Sequence, residues 1–274
     1  MKPDWGYYGT YDESAHADLW DGVVGYWAPC LGPTGLRLHD VSRGNNWGTL
    51  TNMDAATDWV IDGGQYALDF DGSNDFVSTT ADGQKAQNLT VSFWCYYRTQ
   101  SKSLVSIIDN DHALASGILG GWVVQSEQAS STRAYYFTYY TAVGFVATGS
   151  TLVIPLNTWS LITYTKSGTS VTGFRDGQQI YSTTTADATI VYKTTQQIWI
   201  GDCVTSPGRQ FNGLLDDVIV WNRRLSPNEV WRLYQLGRGG MLERRRRRRV
   251  YSQQAGFLPH YRSQRAQLIG GGLR

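Results

Sequence analysis

The sequence is short of glutamate, cysteine and methionine, and the first two shortages each remove a class of function. Only four glutamates, Glu13, Glu127, Glu229 and Glu243, are spread over 274 residues. The three cysteines, Cys30, Cys95 and Cys203, make an odd number without C-x-x-C spacing, so neither a disulfide framework nor a zinc site is indicated. Buried apolar roles are expected for them, most clearly for Cys95 inside "VSFWCYY". G-x-S-x-G is absent, and His16, His39, His112 and His260 follow no nucleophile-partner pattern, which argues against serine hydrolase chemistry. "ILGGW" lacks the Lys-Ser/Thr ending of a phosphate loop. No apolar stretch approaches the roughly eighteen residues of a membrane span, and "MKPDWGYYGTYDESAHADLW" does not read as a signal peptide. The expectation is a soluble protein without a cleavable export signal of its own, and no internal repeat is visible.

What the chain has instead is Gly, Thr, Trp and Tyr, a composition that favours pleated surfaces over helices. From Val23 onward, short β-branched and aromatic runs are separated by Gly, Asn and Asp: "VVGYW", "YALDF", "DFVSTT", "LTVSFWCYY", "SLVSIID", "GWVVQS", "AYYFTYYT", "GFVATG", "WSLITYTK", "QQIWIGD" and "LLDDVIVWN" among them. Period-two alternation is visible in several, with Val218 and Val220 set against Ile219 and Trp221. About a dozen such strands imply two packed antiparallel sheets. Asp176-Gly177 in "FRDGQQI" predicts a tight hairpin turn. One helix is marked by its ends: in "LSPNEVWRLYQLG", Ser226 is the N-cap, Pro227 the first helical residue, Glu229 closes a capping box and Gly237 stops the helix. Val230, Leu233 and Tyr234 share one face of it, which is expected to lie on the sandwich.

Charge is divided unevenly along the chain. Residues 1–240 carry 15 Lys+Arg against 22 Asp+Glu, net −7, while residues 241–274 carry nine Arg and one Glu, net +8. Six adjacent arginines, Arg244, Arg245, Arg246, Arg247, Arg248 and Arg249, repel one another unless something acidic neutralises them. Spaced apolar residues follow, among them Phe257, Leu258 and Tyr261, in the manner of a docking peptide that orders on binding. The division expected is an aromatic-rich arm over 1–20, a sandwich over 21–240 and a basic docking tail over 241–274. Nucleic acid is a rival partner for the tail, but an acidic body disfavours it and no nucleic-acid module is present.

The ordered segments "VVGYW", "GNNWGTLTN", "YALDFDGSNDFV", "LTVSFWCYY", "LNTWSLITYT", "VTGFRDGQQI", "IWIGD" and "FNGLLDDVIVWNRRLSPNEVWRLYQLG" resemble the laminin-G-like branch of the concanavalin A-like lectin/glucanase superfamily, from about Asp21 to Gly237. "FDGSNDFV" and "FNGLLDDVIVWNRRLSPNEV" are the most specific parts. The resemblance implies an all-β, two-sheet antiparallel jelly-roll sandwich with one short C-terminal helix. "LGPTGLRLHDVSRGNNWGTLTNMDAATDW" and the basic terminus are similar to versions of this domain carried by tailed bacteriophages and environmental bacteria.

The resemblance also frames the chemistry. Jelly-roll glucanases set carboxylates on alternating positions of one strand, and a retaining glycosidase needs two carboxyl groups about 5–5.5 Å apart. No Glu-x-Asp-x-Glu exists here, so no catalytic residue is expected. Members of the superfamily often bind calcium at a rim between sheets. Asp71, Asn74 and Asp75 in "DFDGSND" are the candidate ligands, with Asp217 (or Asp216) of "LLDDV" as a further contributor; the alternative is a turn whose acids cap backbone N–H groups. Exposed aromatics would be needed for a sugar site, and Trp47, Trp122, Tyr139 and Tyr140 lie in or beside loop-like stretches, though no subset stands out.

The reading that leads is a non-enzymatic structural and adhesion protein, displayed on a virion or similar large assembly and docked to neighbouring subunits by its arm and tail, with surface glycans as its outward ligand. A free carbohydrate-binding module is the alternative, and a glucanase-type enzyme ranks last.

Overall fold

A computed structural model describes residues 13–79, 85–98, 103–110, 112–113, 119–129, 132–149, 152–192, 197–203, 205–206 and 208–242. Two antiparallel sheets face each other across one apolar interior. The first contains β1 (Val23–Trp27), β4 (Trp59–Asp62), β5 (Gln65–Asp71), β7 (Leu89–Tyr97), β15 (Trp159–Ser167), β16 (Ser170–Arg175), β17 (Gln178–Thr184) and β19 (Asn212–Trp221). Its order is β17-β16-β15-β7-β19-β5-β4, and β1 pairs with the C-terminal half of β19. The second contains β2 (Arg37–Leu38), β3 (Gly48–Thr51), β6 (Phe76–Thr79), β8 (Leu104–Asp109), β11 (Trp122–Ala129), β12 (Thr132–Thr141), β13 (Gly144–Ala147), β14 (Leu152–Pro155) and β18 (Trp199–Ile200). Its order is β13-β12-β11-β8-β18-β6-β3-β2, with β14 also on β12. A short ribbon pairs β9 (His112–Ala113) with β10 (Leu119–Gly120). The all-β sandwich expected from the strand runs is the fold observed.

Alternation sends Val91, Phe93, Cys95 and Tyr97 of β7 inward to meet Tyr135, Phe137 and Tyr139 of β12, with Trp122 and Ile162 in the same interior. The other face of the first sheet is also dry. Tyr26, Trp94, Leu161, Phe174, Ile219 and Trp221 form a second apolar layer, covered by Leu19, Val230, Leu233, Met241 and Leu242. Val218 and Val220 therefore point into the interior while Ile219 and Trp221 point into the outer layer, and both sets are buried.

The covering helix α2 (Pro227–Leu236) begins as its sequence predicts: Ser226 Oγ accepts from Glu229 N and Glu229 Oε2 accepts from Ser226 N. A short helix, α1 (Ala17–Trp20), lies nearby, its Leu19 fully buried and its Leu19 carbonyl accepting from Trp221 Nε1 at 2.7 Å. Residues 13–20 thus pack on the chain's own domain, and Met241 and Leu242 belong to the domain as well, inside the boundary expected for the tail. The hairpin at Asp176-Gly177 forms with both residues at positive φ, 53° and 77°, which lets the turn follow the strand twist.

The end of the interior near Tyr139 holds a charge. Lys166 is 1% exposed, and its Nζ donates to the carbonyls of Gln87 (3.1 Å), Gly168 (3.0 Å) and Ala188 (2.6 Å). It lies 4.8 Å from the centre of the Tyr139 ring, so its hydration shell is replaced by three carbonyl dipoles and a π-face. Among the described residues, no helix is long and apolar enough to cross a membrane.

Candidate functional site

The outer face of the second sheet is built from the residues that alternate with the interior aromatics. Along β12, Tyr135, Phe137 and Tyr139 point in, so Tyr136, Thr138 and Tyr140 point out. Register then sets their neighbours: Tyr140 faces Phe145 and Thr138 faces Ala147 on β13, Tyr136 faces Gln125 on β11, and Gln125 faces Ser106 on β8. The Ser106 N–H donates to the carbonyl of Arg209, which places Arg209 at the end of the same row. Two residue pairs further along, Glu127 faces Leu104.

Together these side chains line a groove of about 370 Å3 formed by Leu104, Gln125, Glu127, Tyr136, Thr138, Tyr140, Phe145, Ala147, Gly149 and Arg209. Phe145 is 70% exposed, a large ring standing on the groove wall. The floor is polar: Gln125 is buried and donates from Nε2 to Ser106 Oγ at 3.4 Å, while the Thr138 hydroxyl is buried with no hydrogen-bond partner. An orphaned hydroxyl costs stability unless a ligand or water meets it. Burial pushes the Tyr136 phenol above its ordinary pKa; Glu127 adds to that shift and Arg209 opposes it, so the phenol feels both charges.

Of the aromatics expected beside loops, only Tyr140 lines this groove. Trp122 and Tyr139 are strand residues wholly inside the core, because the aromatic runs carry rings on both faces of the strand and these two are on the inner one. Trp47 is half-buried and stacked on His39, with ring centres 4.4 Å apart. Glu127 is on β11.

Asp217 does not converge with the other candidate calcium ligands. Asp71, Asn74 and Asp75 share the turn between β5 and β6, and one oxygen of each aspartate braces it: Asp71 Oδ1 accepts from Ser73 N (2.7 Å) and Asn74 N (3.4 Å), and Asp75 Oδ2 accepts from Asp71 N (2.9 Å). Gly72 bends the chain at φ 79°, where a Cβ would approach the Asn212 side chain to 2.7 Å. Burial raises the Asp75 carboxyl to about 6. Asp217 is elsewhere, since Asn212 is the residue paired with Asp71 and five strand residues from it carry Asp217 about 15 Å away. These four residues therefore do not fit one calcium site.

Asp217 has a different task. A bulge between Asp216 and Ile219, with Asp217 at φ 44°, turns two consecutive carboxylates onto the outer face, where strict alternation would have sent one inward. Tyr26 Oη donates to Asp217 Oδ1 at 2.8 Å, Gly239 N donates to Asp217 Oδ2, and Cys30 N donates to Asp216 Oδ1 at 3.1 Å. Burial, reinforced by the neighbouring carboxylate, raises Asp216, and Arg238 4.0 Å away partly offsets it. Together with the Cys30 thiol, 3.5 Å from Asp217 Oδ1, the pair fastens the 29–31 turn and the segment after α2 to the sheet. Arg244, Arg245, Arg246, Arg247, Arg248, Arg249, Phe257, Leu258 and Tyr261 lie outside the described residues.

Comparison with known proteins places the fold. Domain 4 of AbnA, an extracellular GH43 arabinanase from Geobacillus stearothermophilus solved in complex with arabinotriose, aligns with a TM-score of 0.59 at 14% identity, over 78% of this chain and 98% of that one. The binding domain of botulinum neurotoxin DC in complex with SialylT aligns with a TM-score of 0.58 at 13% identity, over 79% of this chain. The ligand-binding domain of botulinum neurotoxin serotype D in complex with N-acetylneuraminic acid gives 0.59 at 14%, over 81% of this chain. This chain spans about half, 52%, of each toxin domain. No curated protein matches by sequence. The Laminin_G_3 model matches residues 71–231, well over half of the sequence, from the β5–β6 turn into α2; the chain belongs to the concanavalin A-like lectin/glucanases superfamily.

Proposed function

We propose that the protein is a non-catalytic carbohydrate-binding module whose ligand lies in the groove on the outer face of the second sheet. The observation that carries this reading is the composition of the groove. Tyr136, Tyr140 and Phe145 offer ring faces for pyranose or furanose stacking, and Gln125, Thr138, Glu127 and Arg209 offer donors and acceptors for hydroxyls. Its shallow, open form suits an extended chain of sugars. Among the described lining residues Glu127 is the single carboxylate, whereas two-carboxylate hydrolysis needs a second. The sugar-bound relatives of the same fold support the reading without fixing the ligand.

A glycan array tests it: the full-length chain is expected to bind a subset of glycans, and Tyr140→Ala and Phe145→Ala are each expected to reduce that binding at least tenfold. Binding untouched by both substitutions would move the site off this face.

The charge division supports a finer reading, in which the module is held at the surface of a virion or other large assembly by its basic terminus, with acidic surfaces of neighbouring subunits opposite the arginines. Limited trypsin digestion tests this part. Protection of the arginine run in native material, against rapid cutting of the isolated chain, is the expected result; equal rates in both would leave a free module.

A further inference from the structure

We infer that the groove selects carboxylated sugars, such as a glycuronic or sialic acid residue, through Arg209. This rests on the carbohydrate-binding reading of the groove and adds the chemical class of the ligand.

Arg209 stands apart from the other well-placed arginines. Arg98, Arg223, Arg232 and Arg238 each have a carboxylate oxygen within 4.0 Å. Among the described residues, the Arg209 guanidinium has neither an ion pair nor a side-chain hydrogen bond, although its backbone is tied on both sides. Its N–H donates to Asp202 Oδ1 at 3.1 Å and its carbonyl accepts from Ser106 N at 2.9 Å.

Asp202, the acid that holds the Arg209 backbone N–H, has its other contacts elsewhere. It is 3% exposed, and it also accepts from Cys203 N (2.8 Å) and from Gln210 Nε2 (2.8 Å). The carboxylate thus fixes the chain at residue 209 and leaves the guanidinium to the groove. A planar fork with no internal partner, held by a rigid backbone, is suited to bidentate capture of a carboxylate.

The remaining groups give that capture a direction. Glu127 is displaced from the Tyr136–Gln125–Ser106–Arg209 row by two residue pairs along the strands, so the negative end of the groove is separated from the positive end. A sugar carboxylate is drawn to Arg209 and repelled by Glu127. Its hydroxyls then fall over the Gln125 amide and the unpartnered Thr138 hydroxyl, with Tyr136 alongside. Neutral sugars meet the same rings and floor but leave the guanidinium without a counter-charge.

The test uses the full-length chain and two matched pairs of probes: sialyllactose with lactose, and oligogalacturonate with its methyl ester, each titrated by calorimetry. The acidic member of each pair is expected to bind at least tenfold more tightly. Arg209→Gln is expected to lose at least tenfold more on the acidic member than on the neutral one, Arg209→Lys to fall between, and Glu127→Gln to tighten the acidic member several-fold. Equal affinity within both pairs, with Arg209→Gln falling equally on each member, overturns the acidic selectivity and leaves the carbohydrate reading standing. Absence of binding to every glycan tried, or binding indifferent to Tyr140→Ala, overturns the groove reading and this inference with it.

Discussion

The two outer faces of the sandwich start from the same alternating strands and end in opposite states. On the first sheet, Trp94, Phe174, Ile219 and Trp221 are sealed under α1, α2 and the 238–242 segment. On the second, the same strand geometry leaves Tyr136, Tyr140 and Phe145 lining a groove. What separates them is cover, not hydrophobic content: one face lies under two short helices and the segment after α2, and among the described residues the other has no such cover. Rings that are covered contribute to stability, and rings left open are available to a ligand.

The comparison is broken most sharply by Trp221→Ala. Loss of a fully buried indole that also bonds the Leu19 carbonyl is expected to cost about 3–5 kcal/mol in denaturant unfolding. At the edge where the two sheets meet, Lys166→Met strands three carbonyls and is expected to cost about 2 kcal/mol at pH 7. That residue also carries a pH signature. Burial lowers its ammonium from the ordinary 10.5 to about 8, so between those values the folded chain has lost a proton that the unfolded chain keeps. Stability contributed by this site therefore rises with pH from about 8 to 10.5, and the wild-type profile minus that of Lys166→Met isolates the rise. An identical pH dependence in both would show that the ammonium is not desolvated.

Ser226→Ala removes the cap of the covering helix and should cost about 1 kcal/mol by the same unfolding measurement. On the open face, Phe145→Ala should change stability by no more than about 0.5 kcal/mol while reducing glycan binding, the reverse of Trp221→Ala. A loss comparable to that at Trp221 would mean that the two faces are not different in kind. The smallest effect expected is that of calcium, which should leave the thermal midpoint within about 1 °C, because the Asp71 and Asp75 oxygens already hold backbone N–H groups.

Local chemistry made some of this legible in the sequence. The Ser226–Glu229 box and the Asp176-Gly177 turn are specified by residues three apart or adjacent, and both form as read. The groove was not legible because it is assembled from five separate segments, and because "AYYFTYYT" carries rings on both of its faces. A signal was present nonetheless: Tyr135, Phe137 and Tyr139 are uniformly aromatic, while Ala134, Tyr136, Thr138 and Tyr140 mix small, polar and aromatic groups as a wetted face does. The Asp217 assignment failed for a different reason. Residues four or five strand positions apart cannot share an ion, and only the pairing of Asn212 with Asp71 reveals the offset. Short strands such as β2 and β3 carry too few residues for period two to be recognised.

One wall of the groove stands where substitutions meet solvent. Phe145 stands on β13, the outermost strand of its sheet, joined to β12 by a hairpin whose closing pair is Thr141 and Gly144. Val143 at that tip is 91% exposed, so residues inserted or exchanged there meet solvent and not the core. Changes to the groove rim can thus be made at this edge without disturbing the interior that keeps the molecule folded.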